Sequence, residues 1–202
     1  MAILWCGGED VDFSLGSPVT VSLAATHFRA GYARCTVMQA TSGALSKGSI
    51  FPGGAVTSAW LSARMVTFNN GAGNCNLRII GFGLSGTNKG LFIGTDSSNG
   101  VKLVLCKYDG TTHTQLAAES GTSISAGAIS AIQRLDMEVV NYGATATVKV
   151  YLDRTLLITF TGDVTVSGMS NFDSVFLARS ASSTAFSELS EIIVADEDLR
   201  AF

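Results

Sequence analysis

QRLDMEVVNYGATATVKVYLDRTLLITF, from Gln133 to Phe160, decides the fold. Side chains of an extended chain leave alternate faces. Leu135, Met137 and Val139 therefore point one way, and Arg134, Asp136 and Glu138 the other. After Asn141-Tyr142-Gly143 the alternation resumes, with Ala146, Val148, Val150 and Leu152 set against Thr145, Thr147, Lys149 and Tyr151. Asp153-Arg154 makes a second turn before an apolar run from Leu156 to Phe160. A period of two with one apolar face means strands lying on a core, so the stretch reads as three consecutive strands of an antiparallel meander.

The same grammar extends outward. Val101 to Tyr108 reads as a strand, and Asp109-Gly110 as a type I′ hairpin turn leading to a partner strand from Thr112. Ala59 to Phe68, Asn76 to Phe82 and Asp173 to Ala178 complete the main set. SISAGAISAI is the nearest approach to a helical pattern, and its glycine and β-branched residues weaken it. The fold expected is all-β, a two-sheet antiparallel jelly-roll sandwich formed by one domain over residues 1–202. An opening strand at Ile3-Leu4-Trp5 is expected to pair with a closing strand from Glu191 to Ala195.

Only 14% of residues are charged and the net charge is −3. No basic stripe offers the counterion release that nucleic-acid binding needs, so nucleic acid is not expected as a partner. No apolar run reaches the ~18 residues of a membrane helix, and the start MAILWCGGEDVDF has no basic n-region. A membrane partner is not expected, and the chain reads as one made in a cytosol. So low a charge fits either a Ser/Thr/Gly-rich β protein whose surface is polar but uncharged or surface buried against other subunits. Cys6, Cys35, Cys75 and Cys106 are dispersed without a C-x-x-C pair and read as free thiols.

Four features could carry chemistry. GFGLSG, Gly81 to Gly86, matches a dinucleotide fingerprint but is followed by TNKGLFIGTD, which is not helical, so a glycine-rich turn is expected instead. In DMEVVN, Asp136 to Asn141, the acids Asp136 and Glu138 share a face. The E-x-D-x-x-E pattern of family 16 glycoside hydrolases would require acids at 136, 138 and 141, and Asn141 breaks it. Both acids are expected to be solvated beside Arg134. Glu188 and Glu191 are an odd number of residues apart on a strand and are expected on opposite faces. His27 and His113 have no sequence neighbours that suggest a nucleophile or metal set, Asp96 and Asn99 are weak calcium candidates, and Trp60 reads as core. The residues thus point to no enzyme: no catalytic, cofactor-binding or metal-binding residue is assigned, and no cofactor is expected.

The segments Arg134-to-Val139 and Val148-to-Asp153, followed by FDSVFLARS and FSELSEIIVAD, resemble the second half of a concanavalin A-like or laminin-G-like jelly roll. Arg154 stands where that pattern has glycine. The ending SEIIVADEDLR resembles virion-associated jelly rolls of tailed bacteriophages, the likeness covering residues 55 to 202. That resemblance implies a virion protein, a capsid decoration (cement) protein bound non-covalently to the major capsid protein as a homo-oligomer, a dimer or trimer. The alternative is a carbohydrate-binding module or tail-fibre component that takes a glycan; a jelly-roll glycosidase is a third reading. A glycan-binding role would need an aromatic and polar cluster on one face, which the sequence does not show.

Overall fold

The computed structural model describes residues 3–7, 14–15, 21–22, 36–38, 43–48, 50–51, 54–69, 74–87, 89–96, 102–122, 124, 133–179 and 186–196. These form strands and no helix. In chain order the strands are β1 (Ile3–Gly7), β2 (Ser14–Leu15), β3 (Val21–Ser22), β4 (Thr36–Met38), β5 (Gly43–Lys47), β6 (Ala59–Asn69), β7 (Asn74–Gly83) and β8 (Gly90–Asp96). They continue with β9 (Lys102–Tyr108), β10 (His113–Ala118), β11 (Gln133–Val140), β12 (Ala146–Leu152), β13 (Thr155–Gly162), β14 (Ser174–Arg179) and β15 (Phe186–Ala195).

Two antiparallel sheets result. One holds eight strands in the order β13-β12-β11-β6-β15-β4-β3, with β1 also on β15; the other holds seven, β10-β9-β8-β7-β14-β5-β2. The expected pairing of the two chain ends is present, with Ile3 opposite Ala195 and Gly7 opposite Ile192. The alternation in the quoted stretch is the cause of the sandwich. Leu135, Met137 and Val139 of β11 and Ala146, Val148, Val150 and Leu152 of β12 are all buried in the main core. Facing them from the other sheet are Ile80, Phe82, Leu91, Ile93, Leu103, Leu105 and Val175.

Two turns differ from expectation or test it. Asp153 (φ 49) and Arg154 (φ 70) both adopt the left-handed region, so the β12–β13 turn keeps its tight geometry although arginine replaces glycine. A non-glycine residue there is strained. Arg154→Gly is therefore expected to stabilise the fold by about 0.5–1 kcal/mol, read as a melting temperature raised by roughly 1–4 °C.

The β9–β10 connection is not a type I′ turn, because among its residues only Gly110 has positive φ (101). Asp109 instead accepts hydrogen bonds at Oδ1 from the backbone N–H groups of Thr112 (2.7 Å) and Thr111 (2.8 Å), an Asx-type turn. Those bonds hold the Asp109 carboxyl below the usual range, the one from Thr112 first. Asp163 is likewise lowered, by the Thr165 hydroxyl and then by the Thr165 N–H. Because both values lie lower in the folded chain, the stability they contribute is complete above about pH 3.9 and is lost as pH falls through the folded values. The double variant Asp109→Asn, Asp163→Asn should accordingly lose less of its urea midpoint than the parent between about pH 5 and pH 3.

Candidate functional site

The face of the eight-stranded sheet turned away from the core gathers residues from strands far apart in sequence. On β11, Arg134, Asp136 and Glu138 point to this outer face, opposite the core-facing Leu135, Met137 and Val139. The antiparallel register places Asp136 opposite Tyr151 and Glu138 opposite Lys149 on β12. On the other side it places Arg134 opposite Arg64, Asp136 opposite Ser62 and Glu138 opposite Trp60 on β6.

These neighbours interact. Arg134 Nε donates to Asp136 Oδ1 at 3.2 Å. Lys149 Nζ donates to Glu138 Oε2 at 3.1 Å, and Tyr151 OH donates to the same oxygen at 3.4 Å. The Trp60 and Tyr151 rings stack with centroids 5.5 Å apart, in a small cluster with Ala195 and Ile193 separate from the main core.

Burial divides the cluster into a floor and a rim. Trp60, Tyr151, Ser62 and Asp136 are buried, whereas the side chains of Arg134, Lys149 and Glu138 keep 36%, 34% and 22% exposure. The expectation of two solvated acids is corrected here. Glu138 is half-buried, and Asp136 is wholly buried with Oδ2 lacking a hydrogen-bond partner. Alternation correctly names the face on which a side chain lies, but it says nothing of what covers that face. Trp60 is buried as expected, though in the outer-face cluster and not between the sheets.

The other candidates do not join it. Gly81 and Gly83 of the fingerprint lie in β7 and a turn follows, so no helix N-terminus exists there for a phosphate. His113 begins β10 and stacks on Tyr108 with centroids 4.5 Å apart, on the other sheet. Asp96 ends β8 opposite Lys102, while Asn99 and His27 lie outside the described residues. Glu188 and Glu191 are in β15, but irregularities between Glu188 and Leu189 and between Ser190 and Ile193 break the simple alternation; their side chains lie outside the described residues. Cys106 is buried and in no disulfide, as expected, its thiol donating to the Phe92 carbonyl oxygen at 3.6 Å, and Cys6, Cys35 and Cys75 are not described at side-chain level. Among the described residues no group of three or more His, Cys, Asp or Glu could hold a metal ion.

Sequence reading missed Lys149, Tyr151, Ser62 and Trp60 as partners of the acids. Lys149 and Tyr151 were within reach of it, since the Asn141-Tyr142-Gly143 turn fixes which β12 residues oppose Glu138 and Asp136. The β6 residues were not, because nothing in the local pattern shows that this strand becomes the other neighbour of β11.

No family model matches the sequence, and no curated protein matches it. Solved structures, in contrast, share the fold over nearly the whole chain. Endo-β-1,4-glucuronan lyase from the fungus Trichoderma reesei aligns at TM-score 0.62 and 12% identity, over 97% of this chain and 96% of that one. The metal-free carbohydrate recognition domain of Emp46p aligns at TM-score 0.54 and 12% identity, over 94% and 90%. The conserved carbohydrate esterase of the Shiga toxin-encoding bacteriophage phi24B aligns at TM-score 0.55 and 15% identity, over 98% and 99%.

At such identities the likeness is one of fold: a concanavalin A-like jelly roll, as expected. The expectation that the chain is not an enzyme is overturned as it was argued. A lyase and an esterase have this fold across their whole aligned length, so neither the architecture nor the broken acid triplet at Asn141 excludes catalysis. One of the three structures is phage-encoded, but none is a capsid protein, and they lend the capsid-decoration reading no support.

Proposed function

We propose that the chain is a carbohydrate-recognising jelly roll that engages a glycan at the Arg134–Glu138–Lys149 rim over the Trp60–Tyr151 floor. The observation that carries this reading is the assembly, on one face and from three strands, of the aromatic and polar cluster that the sequence does not display. Sugar recognition needs a few polar groups held in fixed orientation, and the buried Trp60–Tyr151 stack supports them from beneath. Here Glu138 is fixed by two donors on one oxygen. The names of the structures sharing the fold, a carbohydrate recognition domain, a glucuronan lyase and a carbohydrate esterase, support the same reading.

Affinity electrophoresis through gels containing individual polysaccharides tests it. Retardation by at least one polysaccharide is expected, and Glu138→Ala should weaken that binding by about tenfold or more, about 1.4 kcal/mol. The variant should stay folded, because Lys149 is part-exposed and regains water when its partner is removed. Unretarded migration in every gel would count against the proposal.

A second reading, cleavage of the bound glycan, is favoured by the residue types present. Two carboxylates share the face, and Glu138 is contacted by both a lysine and a tyrosine hydroxyl, groups suited to general acid–base work. New reducing ends released by the parent and not by Glu138→Ala would support it; none from any retained polysaccharide would remove it.

A further inference from the structure

We infer that the glycan taken by this face is neutral and hydroxyl-rich, and not a polyuronate; the inference rests on the carbohydrate-binding reading above. Hydrogen-bonding capacity is the first ground. An ionised carboxylate only accepts hydrogen bonds. Asp136 is fully buried, its Oδ1 takes the Arg134 Nε–H, and its Oδ2 has no partner. A buried acceptor without a donor is costly and rare, so what this face lacks is a donor. A sugar hydroxyl supplies one. A uronate has ring hydroxyls that can donate as well, but its carboxylate at neutral pH has no proton to give and would set a further negative charge against Asp136.

Charge balance is the second ground. The cations of the rim are already matched, Arg134 to Asp136 and Lys149 to Glu138. The two rim cations thus stand against two carboxylates, within a chain of net charge −3. A face that captures a polyanion needs an unmatched excess of positive charge to overcome such a field. Hydroxyls can instead bridge matched pairs, accepting from Arg134 or Lys149 and donating to Asp136 or Glu138.

The test is calorimetric titration of the full chain with two sets of hexasaccharides. The neutral set comprises cello-, xylo-, manno- and laminari-oligosaccharides; the acidic set comprises oligomannuronate, oligoguluronate and oligoglucuronate. Each is measured at low and high sodium chloride. The inference expects saturable binding of a neutral oligosaccharide, changing less than about twofold with salt, and acidic oligosaccharides at least tenfold weaker. Asp136→Asn, which replaces an acceptor oxygen with a donor, should weaken neutral binding at least tenfold. Because that variant also disturbs the Arg134 pair, the comparison of the two sets on the parent chain decides the matter independently. Acidic oligosaccharides binding as tightly as neutral ones, and weakening with salt, would overturn the inference while leaving carbohydrate recognition in place. Binding of neither set would overturn both.

Discussion

Gly81→Ala should be among the most damaging single substitutions in this chain, costing at least about 3 kcal/mol. A Cβ at Gly81 would overlap the Leu91 carbonyl oxygen and come within 2.7 Å of Phe92 Cα, both backbone atoms of the neighbouring strand β8. No rotamer change relieves that overlap; the β7 and β8 backbones must separate, breaking a pairing in the middle of the seven-stranded sheet. The neighbouring Gly83 is packed beneath the Phe176 ring, so the aromatic side chains on the face of the seven-stranded sheet turned away from the main core lie across glycines. That is the physical reason for the first two glycines of GFGLSG. Gly86, with φ +74 and open space around it, is a turn residue whose replacement by alanine should cost about 1 kcal/mol. Gly121 has open space and no special φ, so its alanine variant should fall within about 0.5 kcal/mol of the parent. Urea denaturation of the three variants reads this ranking directly, and equal midpoints for Gly81→Ala and Gly121→Ala would refute the packing account.

Phe172→Ala is the second large effect, with an expected cost of about 3–5 kcal/mol. Phe172 is fully buried and stacks on Phe82 with centroids 4.5 Å apart and rings 17° from parallel. Phe51 meets it at 5.9 Å, and Tyr142 meets it edge-on at 5.8 Å. Its backbone exchanges two hydrogen bonds of 2.9 Å with Val56, so the segment cannot collapse far into the space left by the ring. Tyr142 adds a reason for the cavity to persist. Its hydroxyl accepts the Val166 N–H at 3.0 Å, which anchors the ring from the far side. Burial raises the Tyr142 phenol, a shift only partly opposed by that hydrogen bond, so the hydroxyl stays neutral. Calorimetry should show a melting temperature lowered by roughly 6–20 °C. Leu156→Ala, at a side chain 49% exposed on β13, is the control and should shift it little.

The meander from Gln133 to Phe160 was legible because two-residue alternation is a local property, and all seven core-facing residues it named are in the core. The pairing of β1 with β15 was legible from two apolar ends. Turn type at Asp109-Gly110 was not, since the dipeptide fits a type I′ turn as well as the Asx turn that Thr111 and Thr112 select by presenting their N–H groups. The site was half legible. Arg134, Asp136 and Glu138 could be placed on one face from β11 alone. The contribution of Trp60 and Ser62 depends on β6, which enters the ladder from some seventy residues earlier, and the burial of Asp136 is not a property of β11 alone. For Glu188 and Glu191, whose side chains lie outside the described residues, parity is no guide once β15 carries irregularities, because one slipped residue reverses every face that follows.

Where the ligand binds is the most direct test of the account: backbone amide and Trp60 indole resonances followed by NMR while a retained oligosaccharide is titrated into the parent chain. The account predicts saturable shifts concentrated on Trp60 to Arg64, Arg134 to Glu138 and Thr147 to Tyr151, the strands that build the cluster. Shifts confined to the other sheet, around Tyr108 and His113, would contradict it, as would no shift at saturating oligosaccharide.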